Sequence, residues 1–525
     1  MENVRLLTNQ NPFAAAQQPT ILAPQLGGSD DWYGACSIET FLPGVGNLFA
    51  THEDAYGFLD YPTRFRTANF WYKDAAVQSW MYGETFDNYL DTFGADAVTA
   101  FYHSGHGGMD ANGVFFMPMG SAWGSETWAN SNQMALGNEE ARYVFLSTCF
   151  SLRVLEGHSP IRTWWNRCLG FRMLFGFETV SVDNPNYGKF FWEEWNKNKS
   201  LGQAWLDASW RISHGQAPSV VAVGANQAEA TDRLYNERFL NRQAVTRNWF
   251  QWRWYNAQRA AGTALAMNRI PEKLSKLEFA PMIGRTDGAQ EMAYQLGFTR
   301  DSFNNVGIDP AGNLIVESEG RRAFIGSDGR REFLLKSINT ENRKAISVDR
   351  AIDIAQKALN DLNLTSRQQL SVDTYRVGYT CGGTQEGSGK MDKEYATDIT
   401  VLFRPVIEGV SNVNHDHGNF SVTVDNDGSI TTIRDTTRPV ENIREAKLYN
   451  GPRTTKPNTD VEKMLKTAAK GRYGKSRITL LSDTVRVGYD YSGKSGNLVA
   501  QGTFEADFGQ NIRKQFIIRV PIPVA

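Results

Sequence analysis

The sequence predicts an α/β protein: a mostly parallel sheet flanked by helices, followed by α+β modules in which a helix lies across an antiparallel sheet. Three observations predict it. Between about residues 68 and 233, short apolar runs alternate with helical stretches, the mark of parallel strands buried on both faces. Beyond about Arg285 the runs become alternating strands punctuated by turn residues such as Asp328-Gly329, as antiparallel hairpins require. Finally, an amphipathic helix followed by Asp-Thr-x-Arg-Val-Gly-Tyr occurs twice, which is an internal repeat.

The elements follow in order. Residues 1–30 are rich in Gln, Asn, Pro, Ala and Gly and are expected to be disordered. Residues 68–72, 97–102, 113–117, 143–147 and 172–177 read as strands, with a helix at 159–168 before the last of them. Ser200–Ile212 places Leu201, Ala204, Trp205, Ala208 and Ile212 on one helical stripe. The aromatic and basic stretch at 241–284 reads as a helical linker packed across a domain boundary, with an RNA-binding strip as the lesser alternative. Residues 285–340 form a β-rich module. Ser347–Asp361 and Thr459–Ala469 are the two repeated helices, each leading into a strand-rich tail.

Composition narrows the function classes. The chain has 525 residues, enough for two to four domains of the usual ~100–200 residues. A formal net charge of -2 gives no electrostatic ground for nucleic acid or an anionic membrane as the main partner. All 14 tryptophans fall between Trp32 and Trp254, which suits a Trp-rich core. The four cysteines, Cys36, Cys149, Cys168 and Cys381, make no CxxC pair, so neither a zinc site nor a disulfide framework is indicated. That usage suits a reducing compartment. With no signal-peptide core and no apolar run of membrane length, the expectation is a soluble cytoplasmic chain, a mature secreted form being left open. No cofactor or metal is expected. His415-Asp416-His417 supplies two imidazoles but no third ligand, and Asp425-Asn426-Asp427-Gly428 reads as a hairpin turn rather than a calcium loop.

Two apolar strands each end at a reactive group. One runs Phe101-Tyr102-His103-Ser104-Gly105-His106-Gly107 and the other Tyr143-Val-Phe-Leu-Ser-Thr-Cys149-Phe-Ser. A thiol and an imidazole at adjacent strand tips meet the first requirement of a cysteine nucleophile with a proton-shuttling partner. His106 precedes Cys149 by 43 residues, near the spacing of about 50 in caspases. Gly107 lets the main chain approach a substrate carbonyl, so the N–H groups of Gly107 and Cys149 are the candidate oxyanion donors. His103 is expected to shape the cleft.

These motifs resemble the superfamily of caspases, legumains, gingipains, separases and CHAT proteases, over roughly residues 68 to 233. The His106 strand is similar to the separase and CHAT version, and YVFLSTCFS is similar to the CHAT strand around its cysteine, with Thr148 in place of alanine. The caspase Gln-Ala-Cys-Arg-Gly block is absent, so aspartate specificity is not implied. The resemblance implies a cysteine endopeptidase with Cys149 as nucleophile and His106 as acid and base, acting on a protein or peptide. It also implies a substrate pocket built partly by the loop after the strand that follows the catalytic one, which points to Glu178, Ser181 and Asp183. An acidic residue there would favour a basic side chain. An inactive caspase-like scaffold and a transpeptidase or ligase on the same residues are the alternatives. The C-terminal half, from Phe403-Arg-Pro-Val through Val422–Ile430, weakly resembles PepSY-type modules and is expected to restrain or present substrate, or to bind a partner. The expected division is therefore 1–30 disordered, 31–240 caspase-like, 241–284 linker, 285–340 β-rich, and PepSY-like repeats at 341–450 and 451–525.

Overall fold

A computed structural model describes residues 3–13, 30–256, 269–280, 286–362, 369–385, 391–446, 460–473 and 476–523. In chain order the first strands are β1 (Asn3–Leu6), β2 (Tyr33–Ser37), β3 (Phe70–Lys73), β4 (Ala100–Ser104), β5 (Gly108–Met109), β6 (Phe115–Trp123), β7 (Glu126–Asn130), β8 (Tyr143–Ser147) and β9 (Met173–Phe177). The middle set is β10 (Pro218–Gly224), β11 (Trp249–Tyr255), β12 (Leu274–Phe279), β13 (Asn305–Ile308), β14 (Leu314–Ser318), β15 (Arg321–Ile325) and β16 (Arg331–Leu334). The last set is β17 (Leu370–Gly383), β18 (Tyr395–Ile407), β19 (Val410–Ser411), β20 (Phe420–Asp425), β21 (Ile430–Asp435), β22 (Val440–Ala446), β23 (Arg477–Leu480), β24 (Arg486–Asp490), β25 (Ser495–Gly509) and β26 (Ile512–Pro521). The helices are α1 (Thr51–Asp60), α2 (Asp87–Phe93), α3 (Pro160–Trp164), α4 (Tyr187–Trp195), α5 (Leu201–Ile212), α6 (Gln227–Asn236), α7 (Thr286–Gln295), α8 (Val348–Asp361) and α9 (Val461–Ala469).

The α/β expectation holds. Five parallel strands lie in the order β3-β2-β4-β8-β9, and β10 joins antiparallel beside β9. Alternation along each strand explains the unbroken apolar runs. Tyr102, Tyr143, Phe145, Met173, Phe175 and Val220 face the layer of α1, α4 and α5, whereas Phe101, Val144, Leu146, Leu174 and Val221 face the opposite core. Both faces are dry, so polar alternation is lost. Phe58 of α1 stacks on Tyr102 at 4.5 Å, and Phe145 stacks on Phe175 at 4.1 Å. The expected stripe on α5 is buried throughout, and Ser200 caps the helix by accepting from the Gln203 amide.

Three expectations need correction. The stretch 241–284 is not a helical linker: β11 and β12 are strands, and 257–268 and 281–285 lie outside the described residues. The aromatic run has a period of two. Phe250, Trp252 and Trp254 point into one core while Tyr255 enters the other, and β11 extends the sheet between β10 and β17. Second, part of the segment 1–30 is ordered. β1 pairs in parallel with β13 and Phe13 is buried against Trp32 and Tyr33, because an open sheet edge and an aromatic pocket were waiting for them; residues 14–29 lie outside the described residues. Third, the boundaries drawn at 240, 284 and 340 cut through one sheet. From β11 it continues antiparallel through β17, β18, β20, β21, β16, β15, β14 and β13.

The repeated helices behave as read. α8 starts at the Ser347 cap and packs on β18 and β20, and α9 starts at the Asp460 cap and packs on β25 and β26. The latter strands belong to a second sheet with β22, β12, β23 and β24. The turn at 425–428 is a hairpin in which the Asp425 carboxylate accepts from the Asp427 and Ser429 amides. Among the described residues no helix is long and apolar enough to cross a membrane.

Candidate active site

Because β4 and β8 run parallel in register, with Ser104 opposite Ser147, residues 106 and 149 leave neighbouring strands at the same edge of the sheet. Contact is close. A Cβ built on Gly107 would stand 2.7 Å from the Cys149 carbonyl oxygen and 2.9 Å from Thr148 Cβ, so only glycine fits between the tips. The turn that carries Cys149 is rigid. Phe150 holds a left-handed φ of 58°, unusual for a bulky residue. It is fixed there by its amide on the Thr179 carbonyl and by Ser151, whose hydroxyl donates to the Leu146 and Thr148 carbonyls and accepts from the Phe177 amide.

His106 is oriented by a single bond. Its Nε2 lies 2.8 Å from the Gly46 carbonyl oxygen. A carbonyl only accepts, so Nε2 carries the hydrogen and Nδ1 holds the lone pair. Nδ1 is buried and has no hydrogen-bond partner among the described residues. The ring is clamped between Phe41 and Phe508, at 4.7 and 4.6 Å between centroids. Burial pushes its pKa down to about 3, with the nearby Lys514 charge adding to the fall and the Gly46 bond opposing it. The loop that presents Gly46 is itself pinned. Asp74 accepts from the Glu39 and Thr40 amides at 2.8 Å each and holds His52 at 3.0 Å, and His52 meets Ser37 at 2.8 Å.

The remaining predicted residues fall around this pair. Ser181 is in direct contact with the thiol: its amide lies 3.2 Å from Cys149 Sγ and its hydroxyl 3.4 Å. His103 is buried close to Gly105, with Nδ1 on the Tyr82 hydroxyl at 2.7 Å and Nε2 unpartnered among the described residues; burial, then Lys514, pushes it down to about 3. Glu178 is spent elsewhere. Its carboxylate accepts from the Val154 and Leu155 amides and from Arg153, bracing the chain beyond Cys149. Asp183 is also committed, accepting from the Phe49 amide at 3.1 Å and the Tyr473 hydroxyl at 2.9 Å. These carboxylates therefore fix walls.

Sequence reasoning missed several residues here. Gly46 gave no signal, and Lys514 reaches the site from 409 positions away. Its Nζ lies 3.4 Å from the Gly105 carbonyl oxygen and 3.0 Å from the Ser181 hydroxyl, and its side chain is buried. Thr148 leaves an unpartnered, buried hydroxyl among the described residues next to the thiol. Cys149, His106 and His103 are likewise solvent-free. All four cysteines are unpaired and buried. Elsewhere, Asp416 is consumed by Arg211, Arg330 and Arg434 while His415 packs on His214. No metal-holding group of three such side chains occurs among the described residues.

Residues 37–256 match a domain of unknown function, DUF6345. The match starts at the end of β2 and stops just past β11, so it covers the strands that lead to His106 and Cys149 and leaves out the C-terminal half. No curated protein matches the chain.

Proposed function

We propose that the chain is a cysteine endopeptidase of the caspase-like type, with Cys149 as nucleophile and His106 as general acid and base. One observation carries the reading: Gly46 holds His106 through Nε2–H and leaves Nδ1 bare among the described residues, while Gly107 brings its strand tip against Cys149. Nδ1 takes the Cys149 proton as sulfur attacks the scissile carbonyl. The amides of Gly107 and Cys149 steady the oxyanion. The imidazolium then donates its proton to the leaving amine, leaving a thioester. Nδ1 next removes a proton from water, which attacks the thioester; the carboxylic acid leaves and the thiol is restored. No cofactor enters the cycle. The order β3-β2-β4-β8-β9 with His and Cys on adjacent tips supports this assignment, and the four unpaired, buried thiols fit the reducing, cytoplasmic setting proposed with it.

The test is labelling with a peptidyl acyloxymethyl ketone followed by peptide mapping. The reading expects an adduct on Cys149 that disappears in His106→Ala. An absent adduct, together with unchanged cleavage by Cys149→Ala, rejects it. Complete burial of the pair favours a second reading, an inactive scaffold, which requires intact partners to co-purify equally with wild type and Cys149→Ala.

A further inference from the structure

We propose that the β25–β26 hairpin is a cover for the Cys149–His106 cleft, with Lys514 seated where a substrate side chain enters, so that the C-terminal half holds the catalytic half latent. What the cleft does rests on the peptidase reading; that the hairpin shuts it is a separate, geometric claim.

Three contacts place the hairpin on the site. Phe508, near the hairpin turn, lies over the His106 ring at 4.6 Å. It also fills the space beside Gly46, where any Cβ would meet the Phe508 ring at 2.1 Å. Across the turn, on β26, Lys514 passes between Gly105 and Ser181, and the Ser181 hydroxyl it touches also touches Cys149 Sγ. Gln515 then pairs with the loop after β9: its amide donates to the Ser181 carbonyl at 3.1 Å and its carbonyl accepts from Asp183 at 2.7 Å. Adding a strand to an exposed edge is a standard way for extended peptides to dock. The hairpin thus uses a main-chain track of the kind a substrate needs, one residue from a side-chain slot beside the thiol.

The contact is poorly matched as permanent architecture. Lysines buried for stability are paired with carboxylates, as Lys199 is with Glu194, Asp207 and Glu332. The Gly105 carbonyl and Ser181 hydroxyl that Lys514 meets are neutral, and His103 and His106 are each unpartnered at one nitrogen among the described residues. An ammonium in that setting costs free energy that water or a better-matched occupant recovers. One nearby carboxylate braces the cover instead: Asp183 links the Gly46 loop, through Phe49, to Tyr473, which packs against Phe508 and Phe516. With α9 packed on both strands, the cover has its own support.

The experiment uses the full chain and measures the rate of Cys149 carbamidomethylation by iodoacetamide, read by peptide mapping. Labelling follows the open fraction, so Lys514→Glu, which cannot use the two acceptors, accelerates it by about tenfold or more. Phe508→Ala, which removes the ring over His106 and leaves Lys514 in place, accelerates it by several-fold. Equal rates in wild type and both variants overturn the cover. If labelling accelerates, the cover stands; whether Lys514→Glu then also gains peptide cleavage that Cys149→Ala removes decides the peptidase reading separately.

Discussion

Gly107→Ala probes the closeness of the two strand tips. The added methyl would meet the Cys149 carbonyl oxygen at 2.7 Å, Thr148 Cβ at 2.9 Å and Phe115 Cε2 at 2.9 Å. Ordinary contacts lie at about 3.5–4.0 Å, so the tips must part by roughly half an ångström or more. The carbonyl oxygen and the Thr148 Cβ, one bond from the main chain, are not flexible side-chain ends, and Phe115 is buried. Overpacking of this kind costs about 1–3 kcal/mol, offset by about 0.4–1 kcal/mol because alanine restricts the unfolded chain. A net loss of up to about 2.6 kcal/mol remains, together with a displaced Cys149 main chain. Gly83→Ala is the control, since its nearest neighbour would be 3.5 Å away at a φ that alanine accepts. The assay is the denaturant midpoint of both variants, paired with Cys149 labelling by the ketone probe. Gly107→Ala as stable as Gly83→Ala, with undiminished labelling, refutes the close juxtaposition.

Other outcomes follow from the same geometry. Glu178→Ala strips the Val154 and Leu155 amides and Arg153 of their acceptor; it should cost about 2–4 kcal/mol and speed hydrogen exchange at those two amides, and unchanged exchange contradicts the bracing role. Asp416 has burial pushing its carboxyl up, but Arg211, Arg434 and Arg330 hold it well below the usual range. Its stabilisation is therefore present above about pH 4 and lost as pH falls below that. Asp416→Asn should cost about 3–5 kcal/mol at neutral pH and flatten the acid limb of a stability–pH curve; an unaltered limb contradicts the network. His52→Ala removes the contact between Asp74 and Ser37 and should speed proteolysis within residues 38–50, whereas an unchanged digestion pattern removes His52 from the support of Gly46.

The sequence was most informative where local pattern and tertiary need coincide. Tyr143–Ser147 and Ala100–Ser104 are too short and too evenly apolar for helices, and each ends at a chemically distinctive residue, so the strand tips and their order were readable. The α5 stripe was readable for the same reason. Trp249–Tyr255 was not, because its period-two alternation is short and sits inside a longer aromatic and basic stretch; its neighbours β10 and β17 fix it as a strand. Residues 3–13 looked too polar to order, yet their order comes from a partner edge 302 positions away. Glu178 and Asp183 were located near the site, but their carboxylates turn to local amides, which composition does not disclose. Lys514 was invisible for the plainest reason: its neighbours in space belong to the other end of the chain.

The most direct test of the whole account is cleavage profiling of unfolded-protein peptides by Lys514→Glu, with and without Cys149→Ala, read as new peptide N-termini by mass spectrometry. A caspase-like site on Cys149 and His106 yields a consistent set of new termini with Lys514→Glu and none with the double variant. Identical termini in both, or none in either while Cys149 is freely labelled, contradict it.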